Sequence, residues 1–288
     1  MRIFFSLILI AFGGLALEAR PNLDQPMAAS MLDHGSAYYR VETLPFTSID
    51  GERAYRVYVA IPKREAPESG FPVLYLLDGN ASLPLLTDDV LAELAPEGLP
   101  AIVAIGSPNG LRLDPETRAY DYTARAGQDP HGRATGGADA FLELIETRIQ
   151  PAVAEQVSVD PARQTLWGHS YGGLFVLHTL FTHPEAFTRY AAASPSLWLD
   201  PSQMAADEAA FAAKSRSAPV PLLLMAGTAE DGRGHRKDHD PHARQKFVQR
   251  LHALDGLNLR FVEFEGLGHG PMFNASLLRT LQWLAPEE

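Results

Sequence analysis

Three apolar runs govern what this chain can become. FPVLYLLDGN (71–80), PAIVAIGS (100–107) and PVPLLLMAGT (219–228) are almost unbroken in their apolar character, and each ends in small or polar turn residues. A strand that is apolar on both sides must be covered on both sides, which is the situation of a buried parallel strand. Between these runs lie helical patterns. Residues 138–153 place Phe141, Leu142, Ile145 and Ile149 on one side, 240–254 is amphipathic, and 271–284 opens with proline. Further strands are expected at 55–61 (YRVYVAI, stopped by Pro62) and at RQTLWG, YAAASPS and LRFVEFEG. Strands alternating with helices specify an α/β fold, with a mostly parallel central sheet flanked by helices on both faces. The chain has 288 residues, 46% apolar and 20% charged, enough for one domain over 20–288.

Residues 1–19 are of another kind. Met1-Arg2 precedes the apolar run IFFSLILIAFGGLAL, which has the length of a signal-peptide core and is short for a membrane span. Small residues at Gly14 and Ala16 favour cleavage after Ala16, with Ala19 as the alternative, and a retained membrane anchor is the competing reading. The mature protein is therefore expected to be exported, with no membrane anchoring after cleavage. Its zero cysteines leave stability to the core rather than to disulfides. With 24 Lys and Arg against 35 Asp and Glu, the formal net charge of -11 argues against nucleic acid or an anionic membrane as partner.

The stretch RQTLWGHSYGGLFVLHTLF (163–181) breaks an apolar run with glycines around one serine. A strand ends near Trp167 and a helix begins by Leu174, so Ser170 occupies the turn between them. Glycines at 168 and 172 remove the Cβ atoms that would clash in so sharp a bend, and Gly173 lets the helix pack close to the neighbouring strand. The serine hydroxyl is thereby expected at a helix N-terminus, where free N–H groups favour negative charge. An ordinary turn containing serine is the competing reading.

A serine nucleophile needs a base, and in α/β-hydrolases the partners follow in the order serine, acid, histidine. His269, in the glycine-rich FEGLGHGPMF after the last strand, occupies the expected place, whereas His169 is expected to point away and bond locally. The acid should follow the strand ending near Ala226. Glu230 is preferred and Asp231 is the alternative, unless both are solvated loop charges. The oxyanion hole is assigned to the backbone N–H of Tyr171 and, from the turn Asp78-Gly79-Asn80, that of Asn80.

Other features carry less. GHRKDHDPH (234–242) holds three histidines, but no spacing in it closes a metal site. The triplets at Asn80 and Asn274 match the glycosylation pattern and are discounted because they fall beside the proposed active-site loops. The segment 106–123 follows a central strand at the ligand-binding end of such sheets. It carries Arg112, Arg118, Tyr120 and Tyr122, a set suited to an anionic aromatic ligand. A plain Arg118–Asp121 salt bridge is the alternative.

LYLLDGNA, RAYDYT, GHSYGG and GLGHGPMFNAS together resemble the esterase family of α/β-hydrolases, and within it the periplasmic esterases that open the trilactone of enterobactin and salmochelin. The motifs span roughly residues 40 to 285, nearly the whole expected mature chain. The resemblance implies that Ser170 and His269 are the catalytic pair and that Arg118 faces a catecholate ligand. It also implies that a serine–histidine dyad without a firm acid is possible. The expected activity is hydrolysis of a siderophore ester by a periplasmic monomer that needs no metal and no cofactor. The rivals are a general exported carboxylesterase for small acyl or aryl esters and a siderophore-binding protein without catalysis.

Overall fold

The computed structural model describes residues 25–214, 216–230 and 242–284. The leader and its cleavage sites, Asp231, and all of 234–242 except His242 lie outside them. Eight strands form one sheet: β1 (Tyr39–Thr47), β2 (Ala54–Pro62), β3 (Phe71–Leu76), β4 (Ala101–Gly106), β5 (Val159–His169), β6 (Arg189–Ala193), β7 (Val220–Gly227) and β8 (Leu257–Phe264). Their spatial order is β1-β2-β4-β3-β5-β6-β7-β8. The β1–β2 and β2–β4 pairs are antiparallel and the rest are parallel. The alternation of elements predicts this mostly parallel sheet, and the resemblance to α/β-hydrolases implies its arrangement. A two-residue ribbon, Gly127–Gln128 with Ala134–Thr135, stands apart from the sheet.

Period-two alternation divides the core into two layers. Val57, Val73, Tyr75, Leu166, Tyr190 and Leu222 face one layer, closed by Phe141, Phe175, Phe211 and Phe247. These rings come from α2 (Ala138–Leu144), α3 (Tyr171–Thr182), α4 (Pro201–Ala212) and α5 (Ala243–His252). Tyr58, Leu74, Ile102, Trp167 and Leu223 face the other layer with Met272, Phe273 and Leu277 of α6 (His269–Leu284). Trp167 meets Phe273 edge to face, with centroids 5.2 Å apart. Helix α3 is buried from Tyr171 to Phe181, so it runs through the interior rather than over it.

Three of these helices are tied by one polar cluster. His178 of α3 is buried and bonds Asp207 of α4 through Nδ1 (2.8 Å) and Asp139 of α2 through Nε2 (2.9 Å). Burial favours the neutral ring, but two carboxylate acceptors need both ring N–H groups, and the pKa is raised to about 9.

Several boundaries differ from the sequence expectation. The helix predicted over 138–153 continues to Gln156 through a π segment, Ile145–Ile149. The closing helix begins at His269, two residues before Pro271, and the predicted 240–254 helix is described as Ala243–His252. Segment 106–123, read as a loop, contains α1 (Pro115–Asp121), capped by Asp114 through Thr117 N–H. Edge strand β1 and helix α4 have no counterpart in the sequence reading.

Candidate active site

Strand β5 ends at His169 and α3 begins at Tyr171, which leaves Ser170 alone in the turn at φ 62°, ψ -115°. Its neighbours explain how so sharp a bend fits. A Cβ on Gly168 would lie 2.4 Å from Gly172 O, and one on Gly173 would lie 2.7 Å from Ala193 O. Gly172 is different from what the sequence suggests: a Cβ there would meet nothing closer than 3.4 Å. The steric demand falls on 168 and 173. Backbone bonds from Ser170 N–H to Ala193 O (3.0 Å) and from Ser196 N–H to Ser170 O (3.1 Å) fix the turn against the end of β6.

His269 opens α6 with Nε2 at 2.9 Å from Ser170 Oγ. Its approach depends on Gly227 at the end of β7, where a Cβ would fall 2.1 Å from Leu267 O, so the turn before His269 lies directly on the strand end. His169 holds the same turn from the other side. A carbonyl can only accept, so His169 Nε2–H donates to His269 O at 2.9 Å, and the two rings pack with centroids 4.6 Å apart. Burial, reinforced by His269 and Arg118 nearby, holds the His169 pKa well below its ordinary value, and the ring stays neutral. The sequence reading points this ring away with a local bond; the structure instead bonds it to the backbone of the base, a hundred residues away in the chain, and packs it on that residue's ring.

Glu230 ends the short turn Thr228–Glu230 after β7. Its Oε1 accepts from Ser194 Oγ (2.6 Å) and Gly227 N–H (3.1 Å). Its Oε2 lies 3.9 Å from His269 Nδ1, an ion-pair distance longer than a hydrogen bond, and 3.8 Å from Arg244. Burial opposes ionisation, but the imidazole, Ser194 and Gly227 N–H outweigh it, and the carboxyl titrates below its ordinary value. The structure therefore brings Ser170, His269 and Glu230 into one row.

Tyr171 and Asn80 each sit in the first turn of a helix, where backbone N–H groups have no intrahelical acceptor. Asn80 is fixed by its side chain, which donates to Ser107 O and Leu111 O (2.8 Å each). Among the described residues, non-glycine backbone with positive φ occurs at Asp78, Ser170 and Ser194. All three border this site, and costly backbone held at a functional centre is the usual reason for it to persist. Ser196 completes the group, with its Oγ at 3.2 Å from Ser170 Oγ.

Arg118 is brought here too, but differently from the expectation. Its partner is Asp78, with Nε at 2.6 Å from Oδ1, rather than Asp121. Asp121 is buried near Tyr55, and burial raises its pKa to about 7. The aromatics expected beside Arg118 are used internally. The Arg53 guanidinium lies 3.6 Å from the Tyr120 ring, and buried Tyr122 accepts from Asp78 N–H through its hydroxyl. Arg118 instead stands over the rings of Tyr122 and Tyr171, at 5.6 and 5.7 Å. With Asn80, Ser107 and Arg112 it lines a crevice beside the oxyanion turn.

Sequence reasoning named Asp78 only as part of the oxyanion turn, not as the partner of Arg118, and it missed Ser194 and Ser196 as members of the site. Adjacent parallel strands end on one rim, so the residues following YAAA had to lie beside the serine. That inference was open from the strand order. Among the described residues no group of His, Asp and Glu is arranged to hold a metal ion.

A hydroxyl bonded to an imidazole, with a carboxylate beyond it and free N–H groups alongside, can carry out nucleophilic attack on an acyl carbon. Comparisons with known proteins agree with that chemistry. The family described as "Putative esterase" matches residues 48–284. The chain is 39% identical over 277 residues to the apo-salmochelin esterase of Escherichia coli O6:H1, covering 91% of this chain and 84% of that protein. It is 33% identical over 259 residues to the ferri-bacillibactin esterase BesA of Bacillus subtilis, covering 84% and 88%. The solved structure of the enterobactin hydrolase IroE in complex with DFP superposes with a TM-score of 0.75 at 38% identity, over 89% of this chain and 99% of that one.

Proposed function

The chain belongs to the esterase family matched over residues 48–284, and from that premise we propose that it hydrolyses the ester bonds of a catecholate siderophore, a trilactone of the enterobactin type. The observation that carries the reading is the 2.9 Å bond between Ser170 Oγ and His269 Nε2 at a strained strand-to-helix turn, in a chain whose relatives are siderophore esterases.

In the proposed reaction His269 Nε2 takes the Ser170 proton as Oγ forms a bond to the lactone carbonyl carbon. The oxyanion is held by the N–H groups of Tyr171 and Asn80. The carbon–oxygen ester bond then breaks, and His269 returns the proton to the departing alcohol. Water attacks the acyl-enzyme with His269 as base, and Ser170 recovers its proton as the linear acid leaves. Glu230 stabilises the imidazolium across 3.9 Å. Opening the ring removes the preorganisation of the three catecholates, which weakens their hold on iron.

Substrate preference rests on the rim. Arg118, its Nε engaged by Asp78, and Arg112 line the crevice beside Asn80 and supply positive charge to a catecholate. Trp198, 46% exposed, stands edge to face with Tyr171 at 6.3 Å and offers an aromatic surface next to the helix start. Export to the periplasm belongs to the same reading and rests on the leader-like residues 1–19. The enzyme is proposed to act as a monomer without a resident metal or cofactor. No helix among the described residues is long and apolar enough to cross a membrane.

Mass spectrometry of enterobactin incubated with the purified protein tests the reading. Ring-opened products are expected from the parent and not from Ser170→Ala. Intact trilactone alongside rapid turnover of p-nitrophenyl acetate would identify a general carboxylesterase instead.

A further inference from the structure

Ser170 Oγ has two side-chain neighbours within hydrogen-bonding distance, and the mechanism above uses only one. Besides His269 Nε2 at 2.9 Å, the hydroxyl of Ser196 lies 3.2 Å away. Ser170 carries a single proton. If that proton points at the imidazole, the lone pairs of Oγ remain to accept, and the proton of Ser196 is the group placed to reach them. The surroundings hold Ser196 there. It is almost fully buried at 2% exposure, and its N–H donates to Ser170 O at 3.1 Å. Two residues earlier the chain is bent at Ser194 (φ 43°), whose hydroxyl is committed to Glu230. One short segment, 194–196, thus touches both the acid and the nucleophile.

We propose that Ser196 is a further catalytic residue, donating its hydroxyl hydrogen to Ser170 Oγ as that oxygen gains negative charge. The inference rests on Ser170 being the nucleophile. When His269 removes the serine proton, and again when Oγ departs from the acyl-enzyme carbon, charge builds on Oγ. A hydrogen bond to a charged oxygen is about twice as strong as one to a neutral oxygen. The bond is therefore stronger in both transition states than in the resting enzyme, which is the condition for it to raise kcat rather than only tighten binding. No atom changes owner: the Ser196 proton stays on its oxygen throughout.

The experiment uses the whole enzyme and two rates, turnover of p-nitrophenyl acetate and inactivation by diisopropyl fluorophosphate, which reports attack by Ser170 Oγ without any siderophore. Two variants separate hydrogen bonding from packing. Ser196→Ala removes the donor and leaves space; Ser196→Cys fills the space with a weak donor. Both are expected to lose about ten-fold in kcat and in inactivation rate, the scale of one strengthened hydrogen bond. KM should stay within about two-fold, as a bond made mainly in the transition state requires. The proposal is overturned if both rates of either variant stay within two-fold of the parent, or if KM rather than kcat carries the loss. A Cys variant that recovers while Ala does not would also overturn it, since packing would then explain the effect. Failure of the parent to react with the fluorophosphate, or full inactivation of Ser170→Ala, would instead remove Ser170 as nucleophile.

Discussion

Arg118 donates from Nε to Asp78 Oδ1 across 2.6 Å, and that carboxylate lies buried two residues before Asn80, the proposed oxyanion donor. The cation proposed to meet the substrate therefore also braces the turn that serves the chemistry. Asp78 gains a second restraint from Tyr122, whose hydroxyl meets both its N–H and Oδ1.

Arg118→Ala should consequently damage more than substrate affinity. Removing one partner of a buried pair leaves an uncompensated charge and typically costs about 3–5 kcal/mol of stability. Turnover of p-nitrophenyl acetate is expected to fall along with that of ferric enterobactin. The double variant Asp78→Asn/Arg118→Ala should recover the small ester and not the siderophore. Paired kcat/KM values for the two substrates check this, and full activity of Arg118→Ala on both would refute it.

Ser170→Ala should lose turnover by several orders of magnitude while retaining the fold and ligand binding. Activity near the parent's would remove Ser170 from the mechanism. Circular dichroism and a siderophore titration supply the controls.

For the acid, Glu230→Gln is expected to slow turnover on the order of a hundred-fold. That is less than the roughly 10⁴-fold of triads with a tight acid–base bond, because 3.9 Å separates Glu230 from His269. Asp231→Asn should cost less than Glu230→Gln. A loss of only a few-fold in both variants would mean that Ser170 and His269 act as a dyad.

His178 should give the fold a pH dependence of its own. Its pKa is raised to about 9 in the folded chain, above the ordinary histidine value of about 6.5. The folded state holds the proton more tightly. The stabilisation is therefore complete below about pH 6.5 and fades as pH rises through about 9. The thermal midpoint of the parent should drop by about 2–6 °C between pH 7 and pH 10 beyond any drop seen in His178→Gln. Parallel curves for the two proteins would contradict a charged His178.

The two glycines after Ser170 should behave unequally. Gly173→Ala sets a methyl 2.7 Å from Ala193 O and 3.2 Å from Pro195 Cα, a clash with backbone that cannot swing aside. About 1–3 kcal/mol of stability should be lost. Gly172→Ala meets only ordinary contacts and should fold like the parent. Denaturant unfolding of both variants makes the comparison.

The central strands were legible because burial on both faces leaves unbroken apolar runs, and the serine turn because Gly168 and Gly173 answer steric demands that can be stated from sequence, although Gly172 does not. Strand β1 was not: it lies at the sheet edge, contains Pro45, and is buried fully only at Tyr39. Helix α4 carried its start signal, with Asp200 as cap before Pro201, but its run of small alanines gives little apolar periodicity. The row of Ser170, His269 and Glu230 could be anticipated because chain order and strand ends constrain it. The pairing of Arg118 could not, since Asp78 and Asp121 are both carboxylates within chain reach and only tertiary packing selects Asp78. Tyr120 and Tyr122 looked available for the same reason; the burial of Tyr122 and the seating of Arg53 over the Tyr120 ring are products of tertiary packing.

The close seating of Leu267 on Gly227 has a mechanical consequence. Glu230 and His269 ride on turns joined by the Ala229 N–H bond to Leu267 O (3.1 Å), so acid and base share one backbone support. That support is tied to the serine's own by two bonds, from Ser194 Oγ to Glu230 (2.6 Å) and from His169 Nε2–H to the His269 carbonyl (2.9 Å), so a displacement of any one of the three turns is shared by the other two.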